Sequence, residues 1–263
     1  MALGSAALPP IWKNRIGFTH PSLSEPIRRF PNADELALSF RDFISRGLVL
    51  YMPSVRFVPH RPDTITEVFD RSPYNNHGSI YGAVWQTLAS GKSVLSFDGV
   101  DDYVRVNDSP SLNPTEEITL CAWVLLREKK TQGIIGRDGY WHLECYGDSA
   151  KFAFEGKFGG AWHLLLSDYV PELNKWYFVC SVFKANYVGL YVNCEEVKSA
   201  DWGEGIGTTS PRNIFIGKTT WAYFAGDAKY FNGLIDEARI YNIALSEEVI
   251  KRLFNLTRAF YGV

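Results

Sequence analysis

The stretch Ser96-Phe97-Asp98-Gly99-Val100-Asp101-Asp102-Tyr103-Val104-Arg105-Val106 decides the fold of this chain. Val94 and Ser96 lead into Asp98-Gly99, and beyond it Tyr103, Val104 and Val106 alternate with Arg105. Asp-Gly between alternating apolar residues is a hairpin signal, because the glycine accepts the positive φ that a tight turn demands. The stretch therefore predicts strand, turn, strand.

The same texture continues outward. Short alternating runs separated by Gly, Asn, Asp and Pro predict strands at Leu48–Met52, Val94–Phe97, Tyr103–Val106, Ile118–Leu126, Gly133–Arg137 and Trp141–Tyr146. Others follow at Lys151–Phe154, Trp162–Leu166, Trp176–Phe183, Tyr187–Val192, Arg212–Ile216 and Gly233–Tyr241. So many short strands with so little helix argue for an all-β, two-sheet antiparallel sandwich. One short helix is expected from Ser246 to Phe254, with Ser246 as its N-cap.

Residues 1–47 differ in kind. Pro9, Pro10, Pro21, Pro26 and Pro31 break regular structure there. A single short helix is predicted over about 33–46, capped by Asn32 and closed by Gly47, with Leu36, Phe40, Phe43 and Ile44 as its apolar stripe. The expected division is an extended N-terminal arm over 1–47, a sandwich over 48–255 and a C-terminal tail over 256–263. The arm helix either packs on its own domain or docks on a neighbouring subunit, and the residues leave both readings open.

Composition excludes several classes of function. Net charge is −2, with 27 basic and 29 acidic residues interspersed, and no basic stripe marks a nucleic-acid partner. No run of 18 apolar residues suggests a membrane span. The first ten residues carry no basic segment before an apolar run, so a classical secretory signal is not expected. Cys121, Cys145, Cys180 and Cys194 lack C-x-x-C spacing, which argues against zinc. They read as buried free thiols, with a Cys121–Cys180 bridge as the alternative.

Several segments, in order, resemble the laminin-G-like jelly rolls of the concanavalin A-like superfamily. The first is Phe69-Asp70-Arg71-Ser72-Pro73-Tyr74-Asn75-Asn76-His77-Gly78. The second is Leu95 to Val104, followed by Ile118-Thr119-Leu120-Cys121-Ala122-Trp123-Val124. The third is Phe231-Asn232-Gly233-Leu234-Ile235-Asp236-Glu237-Ala238-Arg239-Ile240-Tyr241-Asn242, followed by Ala244-Leu245-Ser246. Lys175-Trp176-Tyr177-Phe178-Val179 and Gly189-Leu190-Tyr191-Val192-Asn193 are similar to two further family strands. The resemblance covers about residues 48–255 and implies a concanavalin A-like jelly-roll sandwich. Two positions depart from the pattern: Pro73 stands where the family has Gly, and Cys194 replaces the hairpin glycine, which implies a different turn type.

The resemblance also implies one structural Ca2+, held by acids of the opening segment and the closing strand with backbone carbonyls. Calcium takes about 6–8 oxygen ligands. The matching positions are Asp70 and Asp236, with Asn75 and His77 offering further contacts from the loop. The residues alone allow another reading, in which Asp70 caps the Ser72–Asn76 turn and Asp236 pairs with Arg239 or a neighbouring strand. Asp98, Asp101 and Asp102 read as turn acids.

No catalytic residues are expected. His20, His60, His77, His142 and His163 are scattered, and no nucleophile motif accompanies them. Glycosidases of this superfamily carry Glu-x-Asp-x-x-Glu on one strand; that pattern is absent, and strand alternation would send Asp236 and Glu237 to opposite faces. Aromatics in Gly- and Thr-rich loops are the candidates for stacking on sugars: Trp162, Trp202, Trp221 and Tyr223. Trp123 and Trp176 lie in core strands.

The expected function is a non-catalytic structural or interaction protein, with residues 1–47 binding neighbouring subunits of a surface assembly such as a virion, and with glycan recognition compatible with that role. A stand-alone calcium-dependent lectin is the alternative, and a glycoside hydrolase of the same superfamily is third.

Overall fold

A computed structural model describes residues 44–53, 66–203, 205–206, 211–219 and 228–263. The chain divides into two compact units, residues 1–38 and 39–263. The second unit holds every strand named below. The helix predicted over about 33–46 lies outside the described residues except for its last three, of which Ile44 and Ser45 are helical and Arg46 is in a turn.

The sequence first lays down β1 (Leu48–Met52), β2 (Glu67–Val68), β3 (Gly78–Tyr81), β4 (Val84–Thr87), β5 (Ser93–Asp98) and β6 (Tyr103–Val106). The middle adds β7 (Ile118–Leu126), β8 (Gln132–Arg137), β9 (Trp141–Tyr146), β10 (Lys151–Phe158), β11 (Ala161–Leu166) and β12 (Trp176–Lys184). Then come β13 (Tyr187–Val192), β14 (Glu195–Ala200), β15 (Ile214–Ile216), β16 (Lys218–Thr219), β17 (Lys229–Tyr230) and β18 (Asn232–Tyr241), followed by helix α1 (Glu247–Thr257).

The strands form two large antiparallel sheets. The first runs β14-β13-β12-β7-β18-β5-β4, with β1 also paired to β18. The second runs β11-β10-β9-β8-β15-β6-β3-β2, and β16 with β17 makes a separate two-stranded ribbon. This is the expected all-β sandwich.

Period-2 alternation sorts the side chains between layers. On β7, Leu120, Ala122, Val124 and Leu126 enter the core between the sheets, while Cys121 and Trp123 face the other way. That second face is covered by α1, whose Val249, Ile250, Leu253 and Phe254 are buried against it. β7 is therefore apolar on both faces because both are covered.

The opening stretch behaves differently from its prediction. β5 and β6 belong to different sheets, so Asp98-Gly99 is a corner between sheets and not a hairpin turn. Each strand takes its partners from elsewhere in the chain, and the corner's own amides are satisfied locally. Asp98 Oδ1 accepts from the amides of Val100 and Asp101, and Asp102 Oδ2 accepts from the Asp98 amide at 2.8 Å. With those amides satisfied, the strands need not pair with each other. Phe97 and Val104 enter the same core from opposite sheets, both fully buried.

Two further details correct the reading. The Asn193–Cys194 turn has φ of 49° and 68°, the left-handed pair that a type I′ hairpin requires, so Cys194 adopts the backbone that glycine would. Residues 256–263 are not a loose tail: α1 continues to Thr257, and Tyr261 stacks on Trp123 at 4.2 Å. The four cysteines are free thiols; Cys121 and Cys180 are opposed in register, with their Sγ atoms 2.6 Å apart.

Candidate functional site

The outer face of the second sheet carries the unusual chemistry. In the antiparallel register His142 on β9 lies opposite Glu155 on β10, and Glu144 lies opposite Ala153, so all three side chains share one face. On β11 Leu164 lies opposite Glu155, and Trp162 lies two residues away on the same face. The His142 and Trp162 rings are parallel, with centroids 6.5 Å apart. On the other flank Gly136 is opposite His142 and Gly133 is opposite Glu144.

Those glycines are required by close approach. A Cβ on Gly136 would lie 2.4 Å from His142 Cδ2, and one on Gly133 would lie 2.2 Å from the Thr219 amide nitrogen. The β16–β17 ribbon thus lies directly on β8, beside the acids.

The cluster is buried and short of partners. His142 and Glu144 are fully buried and Glu155 nearly so, whereas Trp162 is half-buried and Leu164 exposed. Both ring nitrogens of His142, both oxygens of Glu144, Oε2 of Glu155 and Oγ1 of Thr219 have no hydrogen-bond partner. Burial pushes the Glu144 carboxyl well above its ordinary range, and the neighbouring Glu155 charge pushes it further. Burial raises Glu155 as well, while its contact with Glu144 opposes the rise. Both carboxyls therefore favour the neutral form more than an exposed glutamate does, Glu144 the more strongly. Burial lowers the His142 imidazole to about 4, so it is neutral at pH 7. The site offers two carboxyl groups, a neutral imidazole and a hydroxyl beside an indole face.

The residues expected to hold calcium are already engaged. Asp70 Oδ1 accepts from the Tyr51 and Ser72 amides, and Oδ2 accepts from Ser72 Oγ and the Asn76 amide, all at 2.6–2.8 Å. Four donors fill the lone pairs of one carboxylate. His77 Nδ1 accepts from the Asp70 amide at 3.1 Å, and the Asn75 carbonyl accepts from the His77 amide. Asp236 is fully occupied elsewhere: it accepts from Tyr261 Oη at 2.6 Å and faces the Lys92 ammonium at 3.0 Å. A cation beside Asp236 repels a second one, so this donor set does not fit calcium as it stands.

Glu237 does not point away from Asp236. A register shift between Asp236 and Arg239, with φ of 53° at Glu237, turns its carboxylate toward the same Lys92, and Arg239 binds its other oxygen. Among the described residues, the group of three acids close enough to hold a metal ion is Asp98, Asp101 and Asp102. The Asp98 and Asp102 oxygens cap the corner amides.

The aromatic candidates separate. Trp162 sits on the outer face, whereas Trp202 packs from the core side against Phe154, Phe158, Phe183 and His163. Trp221 and Tyr223 lie outside the described residues. Trp123 is fully buried and Trp176 half-buried. Glu144 and Glu155 belong to no recognisable sequence motif. A signal did exist: in Trp141-His142-Leu143-Glu144-Cys145 and Phe152-Ala153-Phe154-Glu155, every second residue of an apolar strand is polar or small.

The comparisons with known proteins agree with this architecture. A laminin-G family profile, described as "Concanavalin A-like lectin/glucanases superfamily", matches residues 98–251, more than half of the chain. No curated protein matches the chain by sequence. Among solved structures, the binding domain of Paraclostridial Mosquitocidal Protein 1 is similar, with a TM-score of 0.61 and 15% identity over 83% of this chain and 56% of that one. The binding domain of Botulinum Neurotoxin DC, in complex with SialylT, gives 0.59 and 15% over 81% and 52%. Domain 4 of AbnA, a GH43 extracellular arabinanase from Geobacillus stearothermophilus in complex with arabinotriose, gives 0.59 and 18% over 78% and 97%. The chain thus spans about half of the toxin binding domains. Among the described residues, no helix is long and apolar enough to cross a membrane. The family match over the central strands, on a sandwich of this topology, shows that the chain belongs to the concanavalin A-like lectin/glucanase superfamily.

Proposed function

We propose that this protein is a non-catalytic glycan-binding jelly roll that takes its ligand on the outer face of the second sheet, at Trp162, His142, Glu144 and Glu155. One observation carries the reading: buried polar atoms without partners gather next to a half-exposed indole. Each such atom costs about 1–3 kcal/mol when left unpaired. A polyhydroxyl ligand both donates and accepts, so a sugar ring with its apolar face on Trp162 answers carboxyl groups and imidazole alike.

The solved arabinanase domain with arabinotriose supports a ligand of this class on this fold. In this reading residues 1–47 tether the jelly roll to neighbouring subunits of a surface assembly such as a virion, a role supported by their proline-broken sequence. Hydrolysis is disfavoured. A glycosidase keeps its two carboxyls about 5–9.5 Å apart across the scissile bond, whereas the Glu144 and Glu155 carboxyls lie against each other.

The test is a screen of immobilised glycans with the wild-type protein and Trp162→Ala, plus an assay for released reducing ends. Expected are a bound glycan, at least a tenfold loss in the variant, and no sugar release. Absence of binding, or binding indifferent to Trp162, would overturn the reading.

A further inference from the structure

The same outer face continues beyond the β16–β17 ribbon onto β15, β6 and β3, and its chemistry there is different. Tyr81 and Tyr103 stack at 4.7 Å with planes 12° apart. Phe215 meets Tyr103 edge-on at 5.7 Å, and Tyr230 completes the platform at 6.4 Å. Two cations rest on it. The Arg105 guanidinium lies 5.0 Å over Tyr81, and the Lys218 ammonium lies 4.5 Å from both Tyr103 and Phe215.

Neither cation has a carboxylate within ion-pair distance among the described residues, and Arg105 Nε is buried with no acceptor. The nearest acids are committed or distant. Asp138 acts on Lys218 only at longer range and faces Arg212 at 3.8 Å, while the field of Asp101 reaches Tyr230. All six platform residues are half-buried. Partial burial has removed part of the hydration of Lys218, which lowers its pKa. A cation held by ring faces, partly dehydrated and lacking a counter-ion, is preorganised for an anion, because the cost of ordering it has been met in the fold.

We propose that Arg105 and Lys218, standing on the Tyr81–Tyr103 platform, form a subsite for the oxyanion of an acidic sugar, a carboxylate or a sulfate. The guanidinium offers its paired donors, the ammonium a point charge, and the tyrosine rings a surface for the sugar's apolar face. The choice of a sugar as carrier rests on the glycan reading above; the anion preference rests on the unpaired cations alone.

The experiment is 15N NMR titration of the intact protein, following the Arg105 Nε–H signal and the Trp162 indole N–H. The probes are glucuronate, glucose 6-sulfate and glucose. Expected is a saturable shift at Arg105 with one or both anions and none with glucose, weakened by 300 mM salt and lost in Lys218→Met. The anion that responds identifies carboxylate or sulfate as the source. No shift at Arg105 with either anion, or an equal shift with glucose, would overturn the proposal. A Trp162 signal silent to every sugar while Arg105 responds would overturn the glycan reading and leave the anion subsite standing.

Discussion

Replacing Glu144 with glutamine tests the buried acid pair through stability. An unfolded chain titrates glutamate near pH 4.3. In the folded protein burial and the neighbouring Glu155 hold Glu144 protonated well above that pH. The folded state therefore binds one more proton than the unfolded state over that interval, and wild-type stability falls as pH rises from the unfolded value toward the folded one. One proton corresponds to about 1.4 kcal/mol per pH unit. Glutamine has nearly the same shape, cannot ionise, and donates an N–H to Glu155, so the variant lacks this slope. As pH rises above the unfolded value the stability difference should move in favour of Glu144→Gln, by at most about 1.4 kcal/mol per pH unit. Urea unfolding followed by tryptophan fluorescence at pH 5, 6 and 7 measures it, provided the m-values agree. A difference that stays flat across those pH values would refute the raised Glu144 carboxyl.

Three other outcomes follow from the packing. Trp123 donates its indole N–H to Thr257 Oγ1 at 2.8 Å in a buried site, so Thr257→Val should cost about 1–3 kcal/mol in urea unfolding. Lys92 neutralises both Asp236 and Glu237, which are almost completely buried, and Lys92→Met should cost about 3–5 kcal/mol in the same assay. Cys121, Cys145 and Cys180 are fully buried and Cys194 is not, so a thiol reagent should label Cys194 in the native protein and the other three only after unfolding.

The sandwich was legible because strand alternation is local: β7, β9 and β13 fall at the residues where the pattern places them. What escaped is what depends on partners distant in sequence. Asp98-Gly99 has the chemistry of a hairpin, and whether its flanking strands pair or part is decided by the sheets they join. Alternation placed Asp236 and Glu237 on opposite faces, and one bulged residue turned both toward Lys92. Trp162 was visible as a loop aromatic. Its polar neighbours were not, because Glu144 and Glu155 meet only through the β9–β10 register. Trp202 shows the opposite error: a Gly-rich loop suggested exposure, and the ring packs on Phe154 and Phe158.

The most direct measurement is the affinity of the wild-type protein and of Trp162→Ala for a glycan selected from the immobilised screen. Binding by the wild type with at least a tenfold loss in the variant, under conditions where both unfold at the same urea midpoint, places the ligand on the outer face of the second sheet. Equal affinity of the two proteins, or no glycan bound by either, contradicts that placement.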